Sequence, residues 1–459
     1  MKSTRVAVIG MGYVGIPAAA LFADVPGFEV VGIQRRSPRS GWKIDLLNRG
    51  GSPFPEIEPE IGELIHRVVI DKKTFRVVEN PAEAAKADAI LIDVQTPVEA
   101  DHAPRYESLK EVAAQVGGQL RKGVLVCIES TVAPGTTVNM VKPILEERSG
   151  MRAGADFHLA FSYERVMVGR LLHNIRNYPR IVGGLTPACG EKAAELYRKI
   201  MKAPVVVTDC LTAEVAKTVE NAYRDVNIAF ANEIALICES LGVNVYEVRK
   251  LVNNLPNDPS NPSANPVRNL HLPGAGVGGH CLPKDSWLLK YGVDTYGRNP
   301  VESRLLVGAR NLNDSMPGHT ADLVEKALKE QGVPLPAARI AVLGFAFLEQ
   351  SDDTRNTPAI PFIESLRSRG ISEIVIHDPF VRSSELVQIE TDLHKALQGA
   401  DCACILTRHA AYLEHDWPKA VKLMRHPLIV DGRDVIRETQ AAGCRVIKVG
   451  VGEAAPREA

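Results

Sequence analysis

The apolar run Val6-Ala7-Val8-Ile9 breaks at once into Gly10-Met11-Gly12-Tyr13-Val14-Gly15, and an apolar helical run follows from Ile16 to Ala23. A strand that turns on Gly-x-Gly-x-x-Gly and opens a helix is the context in which that spacing has physical meaning. Gly10 permits the tight turn, Gly12 lets the backbone approach a pyrophosphate, and Gly15 lets helix and strand pack closely. Tyr13 and Val14 lie in the same turn, and the helix N-terminus favours phosphate charge. The competing reading is a purely structural turn in an α/β fold. A second strand, Glu29 to Ile33, ends in Gln34-Arg35-Arg36, where an NAD site usually offers Asp or Glu to the ribose hydroxyls. Gln34 can still hydrogen-bond a hydroxyl, and the arginines either receive a 2′-phosphate or are solvated. NAD is the expected cofactor and NADP the alternative.

Further apolar strands are expected at Ala89 to Val94, Val124 to Ile128 and Phe157 to Phe161, with helical patterns between several of them. This alternation predicts a parallel α/β sheet. From Asp209 to Ser240 the pattern turns helical: Val215, Val219, Ala222, Val226, Phe230 and Ile234 recur at spacings of three and four. A helix of about thirty residues spans roughly 45 Å, too long for one small domain, so it links two domains or pairs with a second subunit. Asn253 to Pro273 is rich in Asn and Pro and reads as loop. A second alternation starts near Arg339, with strands at Ile340 to Gly344, Glu373 to His377, Cys402 to Leu406 and Leu428 to Val430. It lacks the Gly-x-Gly-x-x-Gly pattern, so it binds a different nucleotide or none.

At 459 residues two or three domains are expected. A formal charge of −1 and 5% aromatics give no footprint for nucleic acid or a membrane surface. Eight cysteines follow neither a disulfide nor a zinc spacing, so a reducing cytoplasm and no metal are expected. Lys2 and Arg5 before an apolar stretch imitate a signal peptide, but the glycines and Pro17 interrupt it. No apolar run reaches bilayer length.

Catalytic chemistry is expected at Pro273-Gly274-Ala275-Gly276-Val277-Gly278-Gly279-His280-Cys281-Leu282-Pro283-Lys284-Asp285. A thiol at the end of a glycine loop can attack a carbonyl, and a carboxylate four residues on can activate water. Glu214, Lys217 and Asn221 share one helix face. Either Glu214 and Lys217 form a surface ion pair, or Lys217 and Asn221 hold a developing oxyanion. Gln95-Thr96-Pro97, Glu129-Ser130-Thr131 and Tyr163-Glu164-Arg165 stand at strand ends, where open α/β sheets bind ligands.

These motifs, in this order, resemble the nucleotide-sugar 6-dehydrogenases, the family of UDP-glucose and UDP-N-acetylmannosamine dehydrogenases. The markers are the Gly10 to Gly15 turn, Glu129-Ser-Thr131, Glu164-Arg-Val166, Glu214-Val-Ala-Lys217 with Asn221, Gly-Gly-His-Cys281 with Asp285, and Asp352-Asp353-Thr354-Arg355. The resemblance implies an N-terminal Rossmann-type NAD-binding domain (1–208), a central helical dimerisation and cysteine region (209–334) and a C-terminal Rossmann-like UDP-sugar-binding domain (335–459). It implies two oxidations: an alcohol to an aldehyde, then a Cys281 thiohemiacetal to a thioester that water releases as the uronate. Lys217 and Asn221 would hold the oxyanions, Asp285 and Thr131 would order or activate water, and Glu164 would assist acid–base steps. Cofactor contacts would come from the glycine turn, Gln34, Arg35, Thr96, Pro97, Ser130, Thr131, Lys284 and Arg355. Substrate contacts would come from Glu164, Arg165, Lys217, Asn221, Gly276, Gly278, Gly279 and His280, with Arg268 reaching across a homodimer. Tyr163 stands where the family often has Pro, Leu348 where it has Lys, and Gln34 where it has an acid.

His280 resembles the branch acting on UDP-N-acetylhexosamines, whereas Leu282-Pro283-Lys284-Asp285 resembles the UDP-glucose branch. The pattern around Val166-Met167-Val168-Gly169-Arg170 sides with the former. UDP-N-acetyl-mannosamine is therefore the expected substrate, ahead of UDP-N-acetylglucosamine or -galactosamine and then UDP-glucose, in surface polysaccharide synthesis. The rivals are a two-electron hydroxyacid dehydrogenase, which needs no cysteine, and a non-catalytic nucleotide-sugar sensor, which needs no nucleophile.

Overall fold

The first strand, Thr4–Ile9 (β1), sends alternate residues to opposite faces: Val6 and Val8 enter one hydrophobic core, Ala7 and Ile9 another. Each fully buried valine or isoleucine contributes roughly 1.5–3 kcal/mol. The computed structural model describes residues 3–38, 40–54, 58–166, 169–254, 260, 269–437, 440 and 443–452. Arg268, Met167, Val168 and most of the Asn- and Pro-rich stretch lie outside them. The chain divides into two compact units, Met1–Glu220 with Trp287–Glu302, and Asn221–Ser286 with Ser303–Ala459.

In the N-terminal unit, β1 is joined by Phe28–Ile33 (β2), Phe75–Val78 (β3), Ala89–Ile92 (β4), Leu125–Ile128 (β5), His158–Phe161 (β6), Arg180–Gly184 (β7) and Val205–Asp209 (β8). They form one sheet in the order β3-β2-β1-β4-β5-β6-β7-β8. All neighbours are parallel except β6 and β7. The chain reverses its direction of travel between β1 and β4, the point at which such sheets bind ligands. The helix Gly15–Asp24 packs its apolar side on the sheet, with Ala18 to Ala20 fully buried.

The second unit holds a six-stranded parallel sheet: Arg339–Leu343 (β9), Glu373–His377 (β10), Ile389–Glu390 (β11), Cys402–Ile405 (β12), Leu428–Asp431 (β13) and Arg445–Lys448 (β14). The order, β11-β10-β9-β12-β13-β14, reverses between β9 and β12. Cys402 and Cys404 pack in its core, as a C-x-C in an apolar run should.

The periodic run near residue 210 forms a 32-residue helix, Cys210–Leu241. Asp209 starts it by accepting from the Thr212 amide at 2.9 Å and the Thr212 hydroxyl at 2.6 Å. Gly242, at φ +69°, ends it, and the Val243 amide donates back to the Cys238 carbonyl at 2.9 Å. The division between the two units falls inside this helix. Among the described residues no helix is long and apolar enough to cross a membrane.

Candidate active site

The glycine turn after β1 is shaped for a close approach. A Cβ on Gly10 would fall 2.3 Å from the Asp93 carbonyl oxygen, and one on Gly15 would fall 2.0 Å from the Gly10 carbonyl oxygen. Gly12 has nothing within 4 Å of its Cβ position, which leaves open room for a pyrophosphate at backbone distance. The residues present therefore fit a dinucleotide. Tyr13 stacks on Phe54 with ring centroids 4.6 Å apart. Gln34 is turned inward: its Oε1 accepts from the Met11 amide at 3.0 Å, and its Nε2 donates to Ser40 Oγ at 3.0 Å.

The matching turn in the second unit is closed. Gly344 has φ +100°, but Ala346 replaces the middle glycine and is buried. The amides of Phe345 and Ala346 donate to Asp378 at 2.7 and 2.8 Å. Asp378 follows β10, and His409 contacts the same carboxylate oxygen through Nε2 at 3.2 Å, while the other oxygen accepts the Phe380 and Val381 amides at 2.8 and 3.0 Å. An acid that a dinucleotide site would show to ribose is here spent inside the fold.

At the strand ends of the N-terminal unit, Thr96 Oγ1 donates to the Thr131 carbonyl at 2.6 Å and Ser130 Oγ to the Val94 carbonyl at 2.7 Å. Pro97 follows directly, and the Arg105 amide donates to its carbonyl at 2.8 Å. Below them lies a buried charge cluster. The Arg180 guanidinium bonds Glu129, pairs with Glu164 and donates to Ser162 Oγ at 2.7 Å. Tyr197 stacks under it at 3.7 Å and donates its hydroxyl to Glu129 at 2.6 Å. Burial pushes the Asp93 carboxyl well above the usual range, and Glu129 beside it pushes the same way. The Glu164 backbone is also engaged, since Lys217 Nζ donates to its carbonyl at 3.0 Å.

Glu214 and Lys217 do not form the surface pair that their spacing allows. Glu214 is buried and accepts the amides of Gly135 at 2.6 Å and Thr137 at 2.8 Å. Those amides open a helical turn and have no partner of their own inside it, so the buried carboxylate serves them, while Lys217, itself buried, turns to the Glu164 carbonyl. Burial raises the Glu214 carboxyl to about 7, against the pull of the Thr137 and Gly135 bonds. Arg165 is committed as well: its guanidinium grips Glu220, which also takes the Tyr163 hydroxyl at 2.8 Å, and it donates to the Pro179 carbonyl at 2.6 Å.

In the second unit Cys281 is exposed, and its carbonyl accepts the amides of Lys284 at 3.1 Å and Asp285 at 2.9 Å as the helix Leu282–Tyr296 begins. Asp285 is fully buried: one oxygen accepts from Asn221 Nδ2 at 2.5 Å, the other from Lys284 Nζ at 2.7 Å. The glycine loop before the cysteine needs its glycines. A Cβ on Gly278 would fall 2.4 Å from Phe347 Cβ, and one on Gly279 would meet the Phe347 ring at 2.8 Å. Gly276 and Gly279 have φ of +129° and +92°. The Gly279 amide donates to the Arg355 carbonyl at 2.8 Å, while the Arg355 side chain grips Asp353. His280 is held neutral, its pKa lowered to about 4 by burial, with Lys284 and Arg355 adding to the effect and Asp285 and Asp353 opposing it.

Several residues here carry no sequence signal. Arg180 stands alone before an ordinary apolar run. Only the antiparallel pairing of β7 with β6 brings its start to the edge where β4, β5 and β6 end. Asn232 Oδ1 accepts the Gly274 amide at 2.9 Å, and Asn232 joins Asn313, Asp225 and Arg310 in one buried network. Arg433 lies against Gly274, where a Cβ would fall 2.6 Å from its guanidinium.

Residues 4–201 match the NAD binding domain described for the UDP-glucose/GDP-mannose dehydrogenase family, residues 211–315 its central domain and residues 341–438 its UDP binding domain. The chain is 38% identical over 435 residues to the UDP-N-acetyl-D-mannosamine dehydrogenase of Pyrococcus horikoshii, covering 95% of this chain and 96% of that one. It is 34% identical over 430 residues to the Campylobacter jejuni protein of the same name, covering 91% and 98%. The crystal structure of NDP-N-acetyl-D-galactosaminuronic acid dehydrogenase from Methanosarcina mazei Go1 superposes with a TM-score of 0.87 at 41% identity, covering 98% of this chain and 96% of that one.

Proposed function

The chain belongs to the UDP-glucose/GDP-mannose dehydrogenase family, NAD-dependent oxidoreductases of nucleotide sugars, and from that premise we propose that it oxidises the C6 alcohol of UDP-N-acetyl-D-mannosamine to the uronate. The observation that carries the proposal is the exposed Cys281 thiol one helical turn from a buried carboxylate, Asp285, that is fixed by Asn221. A sensor has no use for that arrangement, and a two-electron dehydrogenase has no use for the thiol.

NAD, when bound, supplies the acceptor for two hydrides. Cys281 Sγ adds to the C6 aldehyde and carries the carbon as a thiohemiacetal, then as a thioester, until water takes its place. Overall the alcohol, two NAD⁺ and one water give the carboxylate, two NADH and three protons. The Lys217 ammonium and the Asn221 amide donate to the oxyanions, and each has a donor left after the bonds described above. Asp285 orients Asn221 and, with Thr131, orders the hydrolytic water. Glu164 assists proton transfer with its charge balanced by Arg180. Arg165 acts through Glu220, while Gly276, Gly278, Gly279, His280 and Arg433 meet the sugar nucleotide. Lys284 and Arg355 serve the cofactor region. Support for a homodimer is an exposed apolar row on one helix: Tyr223, Phe230, Ile237 and Leu241, spaced by seven, seven and four. A cytoplasmic role in surface polysaccharide synthesis fits these substrates.

UDP-N-acetyl-D-galactosamine is the second reading, favoured by the 41% identity to the Methanosarcina mazei structure. A panel of UDP-sugars with NAD, following NADH formed per sugar consumed, tests both. Two NADH per UDP-N-acetylmannosamine is the expected result, and one would remove the thioester route. Cys281→Ser should lose uronate formation by about a thousandfold or more, and a variant that still makes uronate would remove Cys281 from the chemistry.

A further inference from the structure

We propose that the adenosine end of the cofactor site accepts a 2′-phosphate, so that this chain binds NADP as well as NAD. The inference rests on the glycine turn after β1 being the cofactor site. A carboxylate at the end of β2 does two things in an NAD site: it takes the ribose hydroxyls, and it repels a phosphate. Gln34 does neither. Its oxygen is used by the Met11 amide at 3.0 Å, and its nitrogen by Ser40 Oγ at 3.0 Å and the Arg35 carbonyl at 3.1 Å.

The groups around Gln34 are those that a phosphomonoester needs. Ser37 and Ser40 place their hydroxyl oxygens 2.8 Å apart. Lys43 Nζ donates to the Met11 carbonyl at 3.2 Å, on the residue whose amide Gln34 holds. Lys43, Met11, Gln34, Ser40 and Ser37 thus form one connected string at the mouth of the turn, with an ammonium, two hydroxyls and no carboxylate in it. The two arginines divide the work. Arg36 is neutralised by Glu79 and Asp45. Arg35 is exposed, and no carboxylate among the described residues pairs with it. Arginine is the side chain that takes a 2′-phosphate through a planar fork. Arg35 and Lys43 supply the two positive charges that a phosphate dianion calls for.

The test is equilibrium binding of NADH and NADPH to the full-length protein, read from nicotinamide fluorescence. NADPH should bind within about tenfold of NADH, and added salt should weaken NADPH more than NADH. Arg35→Ala should weaken NADPH at least about tenfold more than NADH, and Gln34→Asp should do so by about a hundredfold, since a carboxylate then faces the phosphate. Arg36→Ala, checked for folding by thermal melting, should leave the ratio of the two affinities unchanged. NADH binding with NADPH more than about a thousandfold weaker would overturn the proposal, as would an Arg35→Ala variant that weakens both equally. Binding of neither would instead overturn the assignment of the turn as the cofactor site.

Discussion

Within the N-terminal unit, Arg180 is the buried cation shared by Glu129 and Glu164, and two substitutions separate its structural from its functional weight. Arg180→Met strands two carboxylates in a low dielectric and should cost about 3–5 kcal/mol, measured by urea unfolding. Arg180→Lys keeps the charge but loses the fork that reaches Ser162, Glu129 and Glu164 together. It should recover most of the stability yet lower kcat/KM about tenfold to a hundredfold and displace the pH profile, because Glu164 then has a different neighbour. An Arg180→Lys enzyme with a normal pH profile would leave Arg180 a purely structural role. His280 gives a pH prediction. Its pKa is about 4 in the fold against the ordinary 6.5 of a histidine, so the unfolded chain binds the extra proton between those values. The stability it contributes is complete above pH 6.5 and is lost as the pH falls toward 4. With partial exposure taken into account, the loss is about 1–2 kcal/mol. His280→Gln should flatten the acid limb of stability by that amount, and parallel curves for the two proteins would refute it. The thiol and its carboxylate were legible as residues, since a glycine loop ending in Cys281 with Asp285 one turn on is a local pattern. Arg180 was not, because its partner Glu129 lies 51 residues away.

At the scale of elements, the long helix was legible almost to the residue, because an apolar period of three and four over thirty positions has no other solution and Asp209 and Gly242 punctuate it. Strands β3, β7, β8, β11 and β14 were not singled out. β7 ends in two glycines and β11 has two residues, so neither gives an alternation to read. The buried polar network between the helices Cys210–Leu241 and Arg304–Glu330 was equally silent in the sequence. It runs from Arg310 through Asp225 and Asn313 to Asn232, which holds the Gly274 amide. Asn232→Ala takes the partner from that amide and from Asn313 Oδ1 and should cost about 1–3 kcal/mol. It should also speed hydrogen exchange at Gly274 relative to the helix amides. Unchanged exchange at Gly274 would show that the network does not hold the loop.

At the scale of the whole molecule, the exposed row Tyr223, Phe230, Ile237 and Leu241 predicts association through the long helix. Phe230→Glu buries a charge in that contact and should convert a dimer to a monomer in sedimentation velocity. A wild-type monomer, or a dimeric variant, would refute it. The two sheets were expected from their alternating strands, and both have the reversal of strand order that marks a binding edge. Their different uses are written in a few positions: Gly12 is open where Ala346 is closed, and Asp378 is consumed by the turn beside it. By itself the sequence determined what is local: a strand that turns on glycines into a helix, a helix of one period, and a thiol one turn from a carboxylate. Only the tertiary structure decided the partner of each buried charge. Glu214 went to backbone amides instead of Lys217, Gln34 went to the Met11 amide, and Arg180 was carried to the strand edge by one antiparallel pairing. Periodicity is set by neighbours along the chain, whereas a charge taken out of water must find its partner wherever the fold brings one.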